Sequence, residues 1–343
     1  MRITFVVPGR GLHGGIKVMG EYAGRLRARG HDVTVLYRRT AKDVGRWLRR
    51  VLSRRVPDAL DESGCPLVGA LDLVPEFAPD ADVLVTTGLE ATRAAAAFPP
   101  GKGRLVEIVQ DVVPMEAAPD LAKAVMARPA LRVAVSDHVR EYLKTRFGLE
   151  AIVVPNGVDH SQFSNTNRQF RSPRSVGMMY VPGHMKGTAE GFEAMARVRG
   201  RWPEVRLVLF GASRPRPRPP RTETYVHPKA KRLRGIYSGC EVWLAPSRSE
   251  GFGLTVLEAM ACRVVPVAAR SGGHEFIIED GVSGFLVPVG DAEAMAGRIA
   301  LLVEDESLLR KMSEAAHERS LAFDWERSTD RLESLLREWA APA

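Results

Sequence analysis

Ser249-Glu250-Gly251-Phe252-Gly253-Leu254-Thr255-Val256-Leu257-Glu258-Ala259-Met260-Ala261 sets two carboxylates eight residues apart across a glycine-rich turn. Gly251 and Gly253 suit a tight turn, because glycine adopts backbone angles that other residues resist. Thr255 to Met260 then reads as a helix start, with Glu258 on its first turn. Unpaired N–H groups at a helix N-terminus carry partial positive charge and bind phosphate. A carboxylate accepts two hydrogen bonds from a vicinal diol, and its charge strengthens both. A sugar nucleotide offers both kinds of group. On that reading Glu258 takes a ribose and Glu250 faces a sugar, with Gly251, Phe252, Gly253 and Leu254 forming the turn around them. Thr255-x-x-Glu258 equally fits a capping box, and acids are favoured in a first helical turn whatever the function.

Outward from this segment the chain alternates strand-like and helix-like patterns. Arg2 to Val7 reads as a buried strand, followed by a glycine-rich turn from Gly9 to Gly15 and a helix from Ile16 to Arg29. Val33–Tyr37, Val83–Thr86, Leu105–Val109 and Leu131–Val135 continue the strands. Asn156-Gly157 is a turn, and the polar stretch 161–174 reads as a linker. Val176–Tyr180, Val205–Phe210, Val242–Leu244, Val264–Val267 and Phe285–Val287 repeat the plan. Such alternation implies an α/β fold with parallel sheets, whose ligands bind at the carboxyl ends of the strands. The expected domains are 1–165 and 170–324, with a final helix from Trp325.

The opening string resembles the Glu-x7-Glu motif of family 4 glycosyltransferases, retaining enzymes with two facing Rossmann-like domains (the GT-B fold). Val242-Trp243-Leu244-Ala245-Pro246-Ser247 resembles the strand leading into that motif. Ser271-Gly272-Gly273-His274-Glu275 and Asp280-Gly281-Val282-Ser283-Gly284-Phe285-Leu286-Val287 resemble the signatures after it. Val154-Pro155-Asn156-Gly157-Val158-Asp159 resembles the end of the first domain. The likeness is strongest over 130–300.

The resemblance implies a nucleoside-diphosphate sugar as donor, a hydroxyl acceptor, and no cofactor or required metal. It assigns Lys186 to the diphosphate, Gly14 and Gly15 to donor phosphate or sugar, and Val226 with His227 to the base. Asp111 falls beside the reacting sugar, preceded by Gln110 where many relatives have histidine. With the Gly14-Gly15-Ile16 opening, Gln110-Asp111 resembles bacterial rhamnosyltransferases of surface polysaccharides. Val181 stands where the family commonly has arginine, five residues before Lys186, with His184 as a substitute; His13 is placed to reach the donor phosphate or sugar beside Gly14-Gly15. Glu250 and Asp111 are the catalytic candidates. The final helix, 325–343, is expected to pack back on the first domain.

The net charge of +8 is local. Residues 38–55 and 214–234 each carry +7, which leaves the remainder at −6. In the first segment Val44, Trp47, Leu48, Val51 and Leu52 fall on one helical face among arginines. A basic amphipathic helix over 40–56 makes an anionic membrane surface a candidate partner, beside the plain reading as a solvated surface helix. The second segment alternates Arg and Pro as an extended loop. No nucleic-acid module accompanies either segment, so no nucleic acid is expected. No apolar run reaches the ~18 residues of a membrane span. Met1 to Pro8 is too short for a secretion signal. A cytoplasmic protein is expected, with the inner membrane face as an option. Cys65, Cys240 and Cys262 lack metal-ligand spacing and read as buried small hydrophobes.

A rival reading rests on Gly9-x-Gly11-x-x-Gly14, which fits a dinucleotide fingerprint. Arg38-Arg39 would then receive the 2′-phosphate of an NADP cofactor in an oxidoreductase. A third reading is a non-catalytic sugar-nucleotide-binding relative.

Overall fold

A computed structural model describes residues 1–11, 14–39, 59–166, 168–172 and 174–341. The basic helix expected over 40–56, and His13, lie outside the described residues. The chain divides into two compact units: Met1–Pro155 with Glu326–Ala343, and Asn156–Trp325.

The first unit holds a seven-stranded sheet. Its strands are β1 (Arg2–Val7), β2 (Asp32–Arg38), β3 (Leu67–Ala70), β4 (Val83–Thr86), β5 (Arg104–Val109), β6 (Leu131–Ala134) and β7 (Ile152–Val153). They pair in the order β3-β2-β1-β4-β5-β6-β7, and every pair is parallel. Strands buried on both faces need continuous apolar runs, which Phe5 to Val7 and Val83 to Val85 supply. The order reverses between β1 and β4.

The second unit repeats the plan with six strands. These are β8 (Ser175–Tyr180), β9 (Arg206–Gly211), β10 (Thr222–Val226), β11 (Val242–Ala245), β12 (Val265–Ala269) and β13 (Phe285–Val287). They run β10-β9-β8-β11-β12-β13, again all parallel, with the reversal between β8 and β11. Leu207 and Leu209 join Val176, Met178 and the helices Thr188–Arg201 and Ala292–Glu304 in one core. Phe210 points to the other face, where it stacks on Trp243 at 5.6 Å, and Tyr237 meets Trp243 at 4.7 Å. Residues 156–165 belong with this unit: the Val158 N–H donates to the Phe323 carbonyl at 3.0 Å.

The last helix, Trp325–Ala340, buries Leu332 and Leu336 and packs on the first unit. Arg29 Nη1 meets Asp330 at 2.7 Å and Glu333 at 3.0 Å, and Arg104 lies over the Trp339 ring at 4.3 Å. Among the described residues, no helix is long and apolar enough to cross a membrane.

Candidate functional site

The strand reversal at β8 and β11 leaves a crevice at their carboxyl ends, the place where parallel sheets take ligands. Lys186 follows β8 and Glu250 follows β11. The Lys186 loop is shaped by Gly187, whose φ is +61°. A Cβ on Gly187 would lie 1.9 Å from the Pro246 carbonyl oxygen, so the loop sits directly on the β11 exit. The Arg248 N–H donates to the Met185 carbonyl at 2.9 Å, and Thr188 Oγ1 donates to the Val181 carbonyl at 2.7 Å. These bonds hold the loop from both ends. The Arg248 guanidinium pairs with Glu190, and His184 is exposed.

Lys186 Nζ donates to Glu250 Oε1 at 2.5 Å, and Ser247 Oγ donates to the same oxygen at 2.8 Å. Burial alone would push the Glu250 carboxyl up; the Lys186 ammonium, with His274 and the two hydrogen bonds, holds it below its ordinary value. Burial also keeps His274 below its ordinary value, against the pull of the Glu250 charge, so Lys186 is the leading cation beside Glu250. His274 Nδ1 lies 3.0 Å from the Ala269 carbonyl and 2.9 Å from Ser271 Oγ. The bond to the carbonyl places the proton on Nδ1. The backbone of Glu250 is pinned as well: its N–H donates to Ser271 at 2.8 Å, and its carbonyl accepts from Gly273 at 2.7 Å. Gly253, with φ +103°, turns the chain against the His274 ring and into the helix Leu254–Ala261.

That helix begins one residue earlier than the sequence suggests. Gly253 is its N-cap, so Thr255 caps nothing and Glu258 is the fifth helical residue rather than part of a capping box. Glu258 is 5% exposed, and its Oε2 accepts from the Tyr237 hydroxyl at 2.7 Å. Burial first, then the Glu258 charge, pushes the Tyr237 hydroxyl well above its ordinary value, so it stays a donor. Phe252 turns its ring inward, 5.9 Å from Phe323 and 6.2 Å from Phe276, and its backbone packs against Gly273. Val226 and His227 lie at the carboxyl end of the edge strand β10, both exposed. Three strand spacings separate β10 from β11, about 14 Å.

In the first unit, Gly14 opens the helix Gly14–Ala28 beside the reversal between β1 and β4. Gln110 Nε2 donates to the Gly15 carbonyl and to Thr87 Oγ1, each at 3.0 Å, and Thr87 Oγ1 donates on to Ile108 at 2.9 Å. Gln110 thus ties the start of that helix to the ends of β4 and β5. Asp111 Oδ1 accepts from the Val113 N–H at 3.2 Å, a turn-forming bond. Arg38, the candidate for a 2′-phosphate, meets Asp72 at 3.3 Å. Sequence reading missed Ser247, His274 and Tyr237. Ser247, three residues before Glu250 in the quoted strand, was within reach of it; Tyr237 meets Glu258 only through the fold.

Two family models decide the assignment: Glycosyl transferases group 1 matches residues 172–319, and Glycosyltransferase Family 4 matches residues 13–162. The chain belongs to glycosyltransferase family 4. This membership displaces the oxidoreductase reading. Phosphatidyl-myo-inositol mannosyltransferase of Mycolicibacterium smegmatis is 29% identical over 214 residues, 57% of this glycosyltransferase and 53% of the relative. D-inositol 3-phosphate glycosyltransferase of Saccharomonospora viridis is 40% identical over 106 residues, 31% of this chain and 25% of the relative. The matches span about half or less of these relatives. Among solved structures, Thermosynechococcus elongatus sucrose-phosphate synthase gives a TM-score of 0.78 at 19% identity, covering 98% of each chain. Anabaena HepE, solved with UDP and glucose, gives 0.80 at 18%, covering 98% of this chain and 100% of that one. These likenesses show the GT-B fold.

Proposed function

We propose that this glycosyltransferase moves a sugar, with retention, from a nucleoside-diphosphate donor to an acceptor hydroxyl in glycolipid, polysaccharide or glycoside synthesis. The observation that carries the donor site is the convergence of Lys186 and Glu250 where the second sheet reverses, 2.5 Å apart. A diphosphate arriving there meets Lys186, which compensates the charge that builds on the leaving group. N–H groups at the start of Leu254–Ala261 add to that field. Under this reading no metal is needed, and a chelator leaves turnover unchanged. Glu258 takes the ribose, held ready by Tyr237, and the end of β10 takes the base.

Both hydrogen bonds to Glu250 land on Oε1. Oε2 is the oxygen that accepts from the donor sugar. The charge of Glu250, kept by Lys186, favours the positive character that grows on the sugar as its bond to phosphate breaks. For the first unit, the roles of Gly14, Gly15 and Asp111 follow from family resemblance. HepE, solved with UDP and glucose, is the reason to try uridine nucleotides first.

The test is a paired titration. Glu250→Gln cuts turnover severely with donor affinity nearly kept; Glu258→Gln mainly weakens donor binding. Near-normal turnover and affinity in both variants would overturn the site. A thermal-shift screen of nucleoside diphosphates identifies the base, since a ligand that binds the folded state raises apparent stability.

A further inference from the structure

The β10 edge of the second sheet gathers cations that nothing neutralises. Arg214, Arg216, Arg218 and Arg221 lie on the connection from β9 to β10; Lys229, Lys231, Arg232 and Arg234 lie on the turn and helix that follow β10. All eight are exposed. The one acid of the segment, Glu223, accepts a hydrogen bond from the Tyr225 hydroxyl. No carboxylate among the described residues forms an ion pair with any of the eight. Elsewhere in the unit several exposed or half-buried arginines are paired, Arg174 with Glu306 at 2.8 Å, Arg197 with Glu193 at 2.9 Å and Arg310 with Glu306 at 2.6 Å, while Arg298 rests on the Phe285 ring. The contrast is local, as the charge count over 214–234 anticipates.

The edge is also built around a recess. Arg206, Arg218 and Arg221 line a hollow of about 550 Å³ beside Val208, Pro219 and Pro220. Arg199 Nη2 donates to the Arg221 carbonyl at 3.0 Å, which brings another guanidinium to the same corner. Burial, and then the charge of Arg221, pushes Arg199 below its ordinary value. Glu223 is the one carboxylate in the lining and is bonded to the Tyr225 hydroxyl, so the arginines outnumber it and an anion relieves the excess.

We infer that this edge docks on an anionic phospholipid surface, with phosphate headgroups entering the arginine-lined recess. Exposed Pro217 and Pro220 lie among the cations, a mixture that suits a headgroup layer with apolar material beneath it. A single-stranded nucleic acid would want aromatic platforms. The edge offers only Tyr225, whose ring is covered by Arg232 at 4.6 Å. The alternative within the fold is that the cations guard an edge strand against pairing with another chain. The inference does not rest on the donor site, so the two fail separately.

The experiment floats the full chain with phosphatidylcholine vesicles, with and without phosphatidylglycerol, at low and high salt. The expected result is binding to the anionic vesicles alone, released by salt, since exposed charges are screened beyond a Debye length of about 10 Å at 0.1 M. The variant R214Q/R216Q/R218Q/R221Q, which removes two of the recess arginines with two of their neighbours, binds at least ~10-fold more weakly. Two matched variants keep most of the binding: R93Q/R140Q/R197Q/R310Q, and R46Q/R49Q/R50Q/R54Q from the other basic segment. Melting temperature and the nucleoside-diphosphate shift show that each variant is folded. The inference is overturned if the wild type ignores anionic vesicles or if the edge variant floats like the wild type. It is also overturned if either matched variant loses as much, or if the edge variant aggregates while still floating. An RNA oligonucleotide or free inorganic phosphate that binds the edge where vesicles do not also overturns it.

Discussion

Gly187→Ala tests whether the Lys186 loop is set by its contact with the β11 exit. The new Cβ would stand 1.9 Å from the Pro246 carbonyl oxygen, against 3.4 Å or more for ordinary contact. The loop must therefore retreat by about 1.5 Å. A left-handed alanine costs about 1–2 kcal/mol, and crowding of a packed position about 1–3 kcal/mol more. The expected loss is about 3 kcal/mol, a fall of roughly 6–12 °C in melting temperature for a unit of this size. Moving Lys186 away from Glu250 by more than an ångström costs on the order of 100-fold in turnover. Gly200→Ala is the control: it sits in the helix Thr188–Arg201 with nothing within 4 Å, so it is neutral or slightly stabilising. Calorimetry and donor-saturated turnover are read on both variants. A Gly187→Ala enzyme that melts within a degree of wild type and turns over within twofold would refute the packing account of the loop.

Three further outcomes follow from the same geometry. Tyr237→Phe removes the hydroxyl that donates to Glu258 at 2.7 Å, and nucleoside-diphosphate affinity by titration calorimetry falls about tenfold, in line with ~1.5–3 kcal/mol for a bond to a charged group. Lys186→Met leaves the burial of Glu250 uncompensated, so its carboxyl rises and the acid limb of the turnover profile moves to higher pH. An unmoved limb would show that Glu250 does not set it. Burial would raise the Glu333 carboxyl, yet hydrogen bonds from Arg337, His31 and Arg29 bring it down to about 2. Its folded value lies below the unfolded value of about 4.3, so its contribution is present above that pH and is lost as pH falls toward 2. Glu333→Gln therefore lowers the melting temperature at pH 6 and flattens its fall between those values.

Strands with unbroken apolar runs were legible in the sequence. Val83–Thr86 and Phe285–Val287 appear with the bounds their pattern suggests, because both faces of each strand are covered. Leu67–Ala70 and Ile152–Val153 were missed: they lie at sheet edges, half-exposed, where neither alternation nor an apolar run is required. The Glu-x7-Glu string and Lys186, with Gly187 after it, were legible because their shape depends on local turns. The carboxylate's partners were not. Tyr237 reaches Glu258 across 21 positions, and Lys186 reaches Glu250 across 64. Such pairings exist only once the sheet order is known. The capping-box reading of Glu258 failed for a related reason: the N-cap moved to Gly253, where the turn against His274 demands a glycine.

The backbone of Glu250 is a one-residue extension of the second sheet, bridged in parallel to Gly272. Its position is therefore written in main-chain atoms, and its chemistry in side-chain atoms alone. The two can change independently. A lineage can exchange the carboxylate at position 250 without rebuilding the turn around it; if Glu250 has the role proposed above, a folded protein that no longer transfers sugar lies one codon away. The same separation makes Glu250→Gln a sharp probe, since the main-chain bridge stays while the charge that meets Lys186 is removed.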